Sequence, residues 1–459
     1  MSTDSIRKIS EDFRHGKISL ESRVARQSQI IAQKNPALCA LAYQDQAKAL
    51  ARAREIDQAG SPSSTRQRLR GTTFSTRLSI EVAGMPYSTG STSEEPLVSQ
   101  NSCQIIKLLE KEGALCLGKG NIAERGKSYY TENPRYGRTN HFLDQALSPG
   151  GSGGGDAVAV ATGMVDFAIG ADAGGSVRVP ANFCGLYGLS STPGSLSESS
   201  TEHSPTGILK LFKSLGIFAR TLDDLEIVHS VIEKFDALDP TSVSSNVRHK
   251  TARNRFLIID SLNGVSPVSE ISAALNEATL RLTALGYVPS PLQTKLFDGL
   301  IELYVILAAQ SQLLLEDTIV LREGKAPQYQ KEGPHIQALR SRIAAELKPL
   351  TAEELLFRWH QLDCARIQVA QLFSEIDFII APVCATLPVA HNTAHYQING
   401  TSFTTERVFQ FACITNALGL PAIAIPTKPT PQGIPVGFQI IGPRFSEREL
   451  FSILKRGQF

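Results

Sequence analysis

Residues 148–192 read SPGGSGGGDAVAVATGMVDFAIGADAGGSVRVPANFCGLYGLSST, and the fold is legible from this stretch outward. It holds two glycine-rich loops. Gly150-Gly151-Ser152-Gly153-Gly154-Gly155 runs directly into DAVAVATG, a helix-like segment. Gly174-Gly175-Ser176 follows VDFAIGAD (165–172), a run apolar on both faces. Glycines let the backbone adopt conformations closed to other residues and approach a ligand closely. Successive N–H groups in such a turn converge on a developing oxyanion, and a serine there is a nucleophile once a base removes its proton. A lone GGS is more often a flexible turn or a phosphate cradle. A Walker loop is excluded because G-x-x-x-x-G-K-[ST] is absent. A dinucleotide loop fits only loosely, since no strand precedes Gly151-x-Gly153.

Other segments share the strand pattern of 165–172. ALCLG (114–118), DFIIAPV (377–383), PAIAIP (421–426) and VGFQIIG (436–442) are short and apolar throughout, as suits strands covered by helices on both faces. Residues 66–79 read as a further strand region. Ser102 is placed to cap a helix over CQIIKLLEKE, which Gly113 ends. Residues 19–59 read as helix broken in two at Asn35-Pro36, and Ser446-x-x-Glu449 reads as a capping box opening a terminal helix. Residues 194–207 and 324–334 read as long loops, and 265–375 as mostly helical. The expected class is α/β: one domain over 1–459, an open twisted mixed sheet with helices on both faces, and a helical N-terminal region at 1–65.

Composition narrows the function classes. A formal net charge of +2 implies no polyanion or membrane surface, so neither a nucleic-acid nor a membrane partner is expected. No apolar run approaches 18 residues, and MSTDSIRKISEDFRHGK lacks the apolar region of a secretory signal. The seven cysteines form no C-x-x-C pair, which fits reduced thiols and a cytoplasmic location. The nine histidines show no H-x-x-x-H, so no metal site is read, and no cofactor is implied.

The two loops and the VRVPANFCG run resemble the amidase signature family, whose pattern is approximately PGGSSGGS, a helix and a strand, then D-x-GGS-[IV]-R-x-P-x-x-FCG-x-x-GLKPT. Pro149, Gly150, Gly151, Ser152, Gly154 and Gly155 match, as do Asp172, Gly174, Gly175, Ser176, Arg178, Pro180, Phe183, Cys184, Gly185, Gly188, Leu189 and Thr192. LGKGNIAERG (117–126) resembles the family's GKTN-x-x-E segment and TENPRYGRTN (131–140) its TEN-x-x-YG-x-x-N loop. The resemblance implies the amidase-signature fold and cleavage of a small-molecule amide by a Ser–cis-Ser–Lys triad. Ser176 would be the nucleophile and Ser152 the bridging serine, after a cis Gly151–Ser152 peptide. The N–H groups of Ala173, Gly174, Gly175 and Ser176 would form the oxyanion hole. Asp172 and Arg178 would brace the nucleophile loop, and Tyr129, Tyr130 and Thr131 would contact substrate together with the variable region at 300–360. A homodimer is compatible with this reading.

The third triad member departs from the family. Counting back from Ala83, Gly84, Pro86, Gly90 and Ser91, the lysine of the family's KDN segment is Arg77, followed by Leu78 and Ser79. Gly153, Ser190 and Gly120 replace the second serine of GGSS, the lysine of GLKPT and the threonine of GKTN. A lysine can be tuned to accept a proton near neutral pH, whereas a guanidinium stays protonated and only donates. Lys119 is an alternative base, although the family carries a structural lysine there. Cys184 and His141 read as packing residues. Three functions follow: an amidase-like hydrolase with weak or altered activity, a non-catalytic binding or regulatory relative, and, less favoured, the amidase subunit of a tRNA-dependent amidotransferase.

Overall fold

A computed structural model describes residues 4–459 apart from 60–66, 198, 200–209, 245–252, 292–293, 323, 325, 327 and 347–349. Most of the expected loop at 194–207 lies outside the described residues. Among the described residues eleven strands form one sheet. In chain order they are β1 (Leu41–Gln44), β2 (Thr73–Arg77), β3 (Leu115–Gly120), β4 (Phe167–Asp172), β5 (Tyr187–Ser190), β6 (Ser214–Ala219), β7 (Arg255–Ile258), β8 (Val288–Ser290), β9 (Phe378–Ala381), β10 (Ala422–Pro426) and β11 (Gly437–Ile441). Their spatial order is β1-β3-β2-β4-β6-β5-β10-β11-β9-β7-β8. The sheet is mixed: β2 runs parallel to β3 and β4, and β9-β7-β8 are parallel, while the remaining pairs are antiparallel.

Alternation along each strand divides the core into two layers. On β4, Ala168 faces one layer and Phe167, Ile169 and Ala171 the other. The first layer is closed by helices Leu20–Leu38, Gly154–Ala161 and Thr405–Leu418, the second by Gln104–Lys111, Leu222–Ile232 and Glu447–Arg456. This is why the strands carry almost no polar positions. Among the described residues no helix is long and apolar enough to cross a membrane.

Three local expectations are corrected. Helix Leu20–Leu38 runs through Pro36, which sits in its last turn, and the break in 19–59 is strand β1 instead. Asn35 holds that join, accepting from Leu41 N at 2.8 Å and donating to Leu41 O at 3.0 Å. Ser102 caps nothing: the helix begins at Gln104 after Cys103, while Ser102 Oγ accepts from Ala83 N at 3.0 Å. The capping box at 446–449 does not form, because Ser446 is not extended and the Glu447 carboxylate accepts from Thr192 N at 2.6 Å.

Candidate active site

The parallel pairing of β2 and β4 brings their carboxyl ends to one edge of the sheet, where open α/β sheets bind ligands. Arg77 ends β2, and Asp172 ends β4 just before the Gly174-Gly175-Ser176 turn. Ser152 lies opposite, after a cis Gly151–Ser152 peptide and before helix Gly154–Ala161. The first loop admits no side chain at Gly151, since a Cβ there would come 2.6 Å from Ser128 O.

The three side chains form a continuous chain. Arg77 Nη1 donates to Ser152 Oγ at 2.9 Å, and Ser152 Oγ donates to Ser176 Oγ at 2.8 Å. Arg77 Nε donates to Ser79 Oγ at 3.0 Å. This direction of donation matters. Acylation requires the Ser176 proton to pass through Ser152 to an acceptor, and the group at the far end is a donor.

The nucleophile turn is held from beneath by a buried ion pair. Asp172 Oδ1 accepts from Gly175 N at 2.8 Å and from Arg178 Nη2 at 2.9 Å, and Oδ2 accepts from Val177 N at 3.0 Å. Arg178 also donates to Gln439 Oε1 at 2.8 Å, Ala412 O at 3.0 Å and Asn416 Oδ1 at 2.6 Å. Burial opposes the Asp172 charge, but Arg178 and the N–H donors outweigh it and hold the carboxyl below its usual range. Because the Gly175 N–H is committed to Asp172, the expected oxyanion donors are reduced to Ala173, Gly174 and Ser176.

From above, the turn's carbonyls are fixed by two tyrosines. Tyr129 Oη donates to Gly174 O at 2.9 Å, lies 3.0 Å from Cys413 Sγ and stacks on Phe409. Tyr304 Oη donates to Ala173 O and fills the space a side chain at Gly174 would need. Burial pushes both phenols well up, so they stay protonated donors. Tyr304 and Cys413 carry no sequence motif and lie far along the chain, so no sequence signal pointed to them. Tyr130 points away from this turn, its hydroxyl bonding Thr393 O at 2.6 Å and Tyr396. Thr131, expected to contact substrate, is buried and braces the first loop, donating to Gly150 O at 2.9 Å and accepting from Gly154 N at 2.8 Å. A cavity of about 590 Å³ opens beside Leu303 and is lined by Phe357, His360 and Cys364, within the 300–360 region.

Lys119 registers with Thr76, so its side chain leaves the sheet on the face opposite Arg77. Its Nζ donates to Ile80 O, and burial lowers it to about 8. No described hydrogen bond links it to either serine. Cys184 is buried with its thiol pushed up by burial, and buried His141 bonds Phe183 O at 2.9 Å, so both act in packing. Among the described residues no three His, Cys, Asp or Glu side chains are grouped as metal ligands.

Asp156, in the first turn of helix Gly154–Ala161, is fully buried and accepts from Ser75 Oγ at 2.6 Å. Burial raises its carboxyl to about 7 against the pull of Ser75, Lys119 and Arg77. A carboxyl raised on folding contributes stability that is complete below its unfolded value, about 4, and is lost as pH rises through about 7. The stability of the wild type relative to Asp156→Asn therefore falls between pH 4 and pH 7. Urea unfolding of both proteins across that range measures it, and a flat difference would contradict the assignment.

The family model described as Amidase matches residues 24–451. Curated relatives named as the amidase-type subunit of glutamyl-tRNA(Gln) amidotransferase include one from Endomicrobium trichonymphae, 26% identical with 98% of this chain and 95% of the relative covered. Another, from Methanosarcina acetivorans, is 28% identical with 87% and 86% covered. A solved 6-aminohexanoate cyclic dimer hydrolase, with substrate bound, superposes with a TM-score of 0.84 at 18% identity, covering 99% of this chain and 96% of its own. A bacterial aryl acylamidase of the amidase signature family superposes with a TM-score of 0.84 at 22% identity over the same shares. At these identities the two structures speak to fold alone.

Proposed function

The chain belongs to the amidase family, and from that premise we propose that it is a serine hydrolase of small amide-type carbonyl compounds whose acylation step is slowed because the proton relay ends on Arg77. The observation that carries this reading is the chain of contacts from Arg77 Nη1 to Ser152 at 2.9 Å and on to Ser176 at 2.8 Å. Ser176 would attack the carbonyl, and the N–H groups of Ala173, Gly174 and Ser176 would receive the oxyanion. Arg77 would polarise Ser152 without accepting its proton. Loss of a positioned base costs about 10²–10⁴-fold. That loss falls hardest on amides, whose leaving group is poor, so an ester with a better leaving group is the favoured substrate.

The test is labelling by a fluorophosphonate, whose fluoride leaves readily. Wild type is expected to label at Ser176, and Ser176→Ala to lose the label, by intact-mass spectrometry. A wild type that stays unlabelled supports the second reading instead, a non-catalytic binding or regulatory subunit. The names of the curated relatives favour a subunit role. Action as the amidase subunit of a tRNA-dependent amidotransferase requires a working base, and Arg77 stands against it.

A further inference from the structure

Several departures from the amidase pattern meet at one place in the fold. Gly120 stands where GKTN has threonine, and Asp156 where PGGSSGGS ends in serine. Arg77 and Leu78 replace the lysine and aspartate of KDN. Gly120 is the register partner of Arg77 across β2 and β3, so both present the same face of the sheet. Ser75, two residues before Arg77, shares that face. The Asp156 carboxylate lies between them. Its Oδ1 accepts from Ser75 Oγ at 2.6 Å, and a Cβ at position 120 would come 2.5 Å from Oδ2 and closer still to Oδ1. Oδ2 is buried with no hydrogen-bond partner among the described residues. Beyond the guanidinium, a Cβ at Gly126 would overlap Arg77 Nη2 and lie 3.6 Å from Ser152 Oγ. The arginine head therefore occupies a shaped socket. Gly126 clears room for it, Ser79 takes Nε, and Gly120 clears room for a carboxylate on the same face.

We propose that Asp156 is a positioning residue for Arg77: seated by Gly120 and Ser75, it supplies the negative charge that the strand lost at position 78 and keeps the guanidinium on Ser152. Position 78 is a fully buried leucine and offers no charge. Asp156 responds electrostatically to Arg77 and to Lys119, as a carboxylate between the two cations should. The substitutions at 77, 120 and 156 are then one coordinated change, and the arginine site is maintained instead of being a decayed lysine site. The effect on Ser176 rests on the hydrolase reading above; the socket itself does not.

A double-mutant cycle on the full chain tests this: Arg77→Met and Asp156→Asn, singly and together, read by the urea-unfolding midpoint and by the rate of fluorophosphonate labelling at Ser176. Asparagine keeps the shape of aspartate, so the gap at Gly120 stays filled. With Arg77 present, Asp156→Asn is expected to lower the midpoint and slow labelling by about threefold or more; in the Arg77→Met background both effects shrink sharply. Equal effects in the two backgrounds overturn the proposal. A second pair guards against misfolding. Gly120→Thr alone should be severely destabilised, and Asp156→Ser in the same chain should recover most of the midpoint. A failure of Asp156→Ser to rescue also overturns it. If Ser176 labels in none of the proteins, the hydrolase reading fails, and the unfolding cycle still decides the role of Asp156.

Discussion

Arg77→Lys raises Ser176-dependent hydrolysis of a simple aryl amide by about 10²-fold over wild type. The number is the lower end of what a positioned general base contributes. The reason is a change in what the relay can do. Arg77 Nη1 donates to Ser152 at 2.9 Å and cannot take a proton back. A lysine from the same strand end places an amine beside Ser152, and burial lowers an amine's pKa toward neutrality, as it does for Lys119, which falls to about 8. Lysine is also slimmer than arginine, and the room Gly126 leaves for Nη2 means that it enters without a clash. The full 10⁴-fold is not expected, because Leu78 and Ser79 still replace the family's aspartate and asparagine. The measurement is kcat/KM on a nitroanilide for wild type, Arg77→Lys and Arg77→Lys/Ser176→Ala, with a pH profile of the lysine variant. An inflection from the new amine should appear only there. A folded Arg77→Lys protein no faster than wild type would show that the arginine is not what limits the site.

Arg178→Met destabilises the protein by about 3–5 kcal/mol and abolishes labelling of Ser176. Arg178 and Asp172 are both fully inaccessible, and their carboxylate–guanidinium contact is 2.9 Å. Removing the cation leaves a buried carboxylate that still accepts from Gly175 and Val177 with nothing to balance its charge. It also strips donors from Gln439, Asn416 and Ala412, which tie the nucleophile turn to the β11 strand and the Thr405–Leu418 helix. Arg178→Lys restores charge but not the planar fork, so it should recover only part of the loss. Urea unfolding of the three proteins measures the effect. A loss below about 1 kcal/mol in Arg178→Met would mean that this pair does not anchor the turn.

The sheet was legible because its strands are buried on both faces. Runs such as FAIGAD and AIAIP leave no other reading for short apolar segments beside glycine turns. The nucleophile region was legible because glycines sit where backbone meets backbone, a requirement visible in sequence. Helix ends were less so. Ser102 and Ser446 have the right residue type for caps, but tertiary geometry sends them elsewhere. Tyr304 was beyond sequence reasoning, since its role depends on a helix packed against a turn 131 residues earlier. The coupling of Gly120 to Asp156 was likewise hidden. In sequence Gly120 is only a missing threonine; in the fold it is the space a carboxylate occupies.

The most direct measurement compares wild-type turnover of a nitrophenyl ester with that of the matching nitroanilide, each with Ser176→Ala as control. If the relay ends on a group that cannot accept a proton, the ester is hydrolysed in a Ser176-dependent way and the anilide about 10³-fold or more slower. Comparable Ser176-dependent turnover of both would contradict the account, because it would require a working base that Arg77 cannot be.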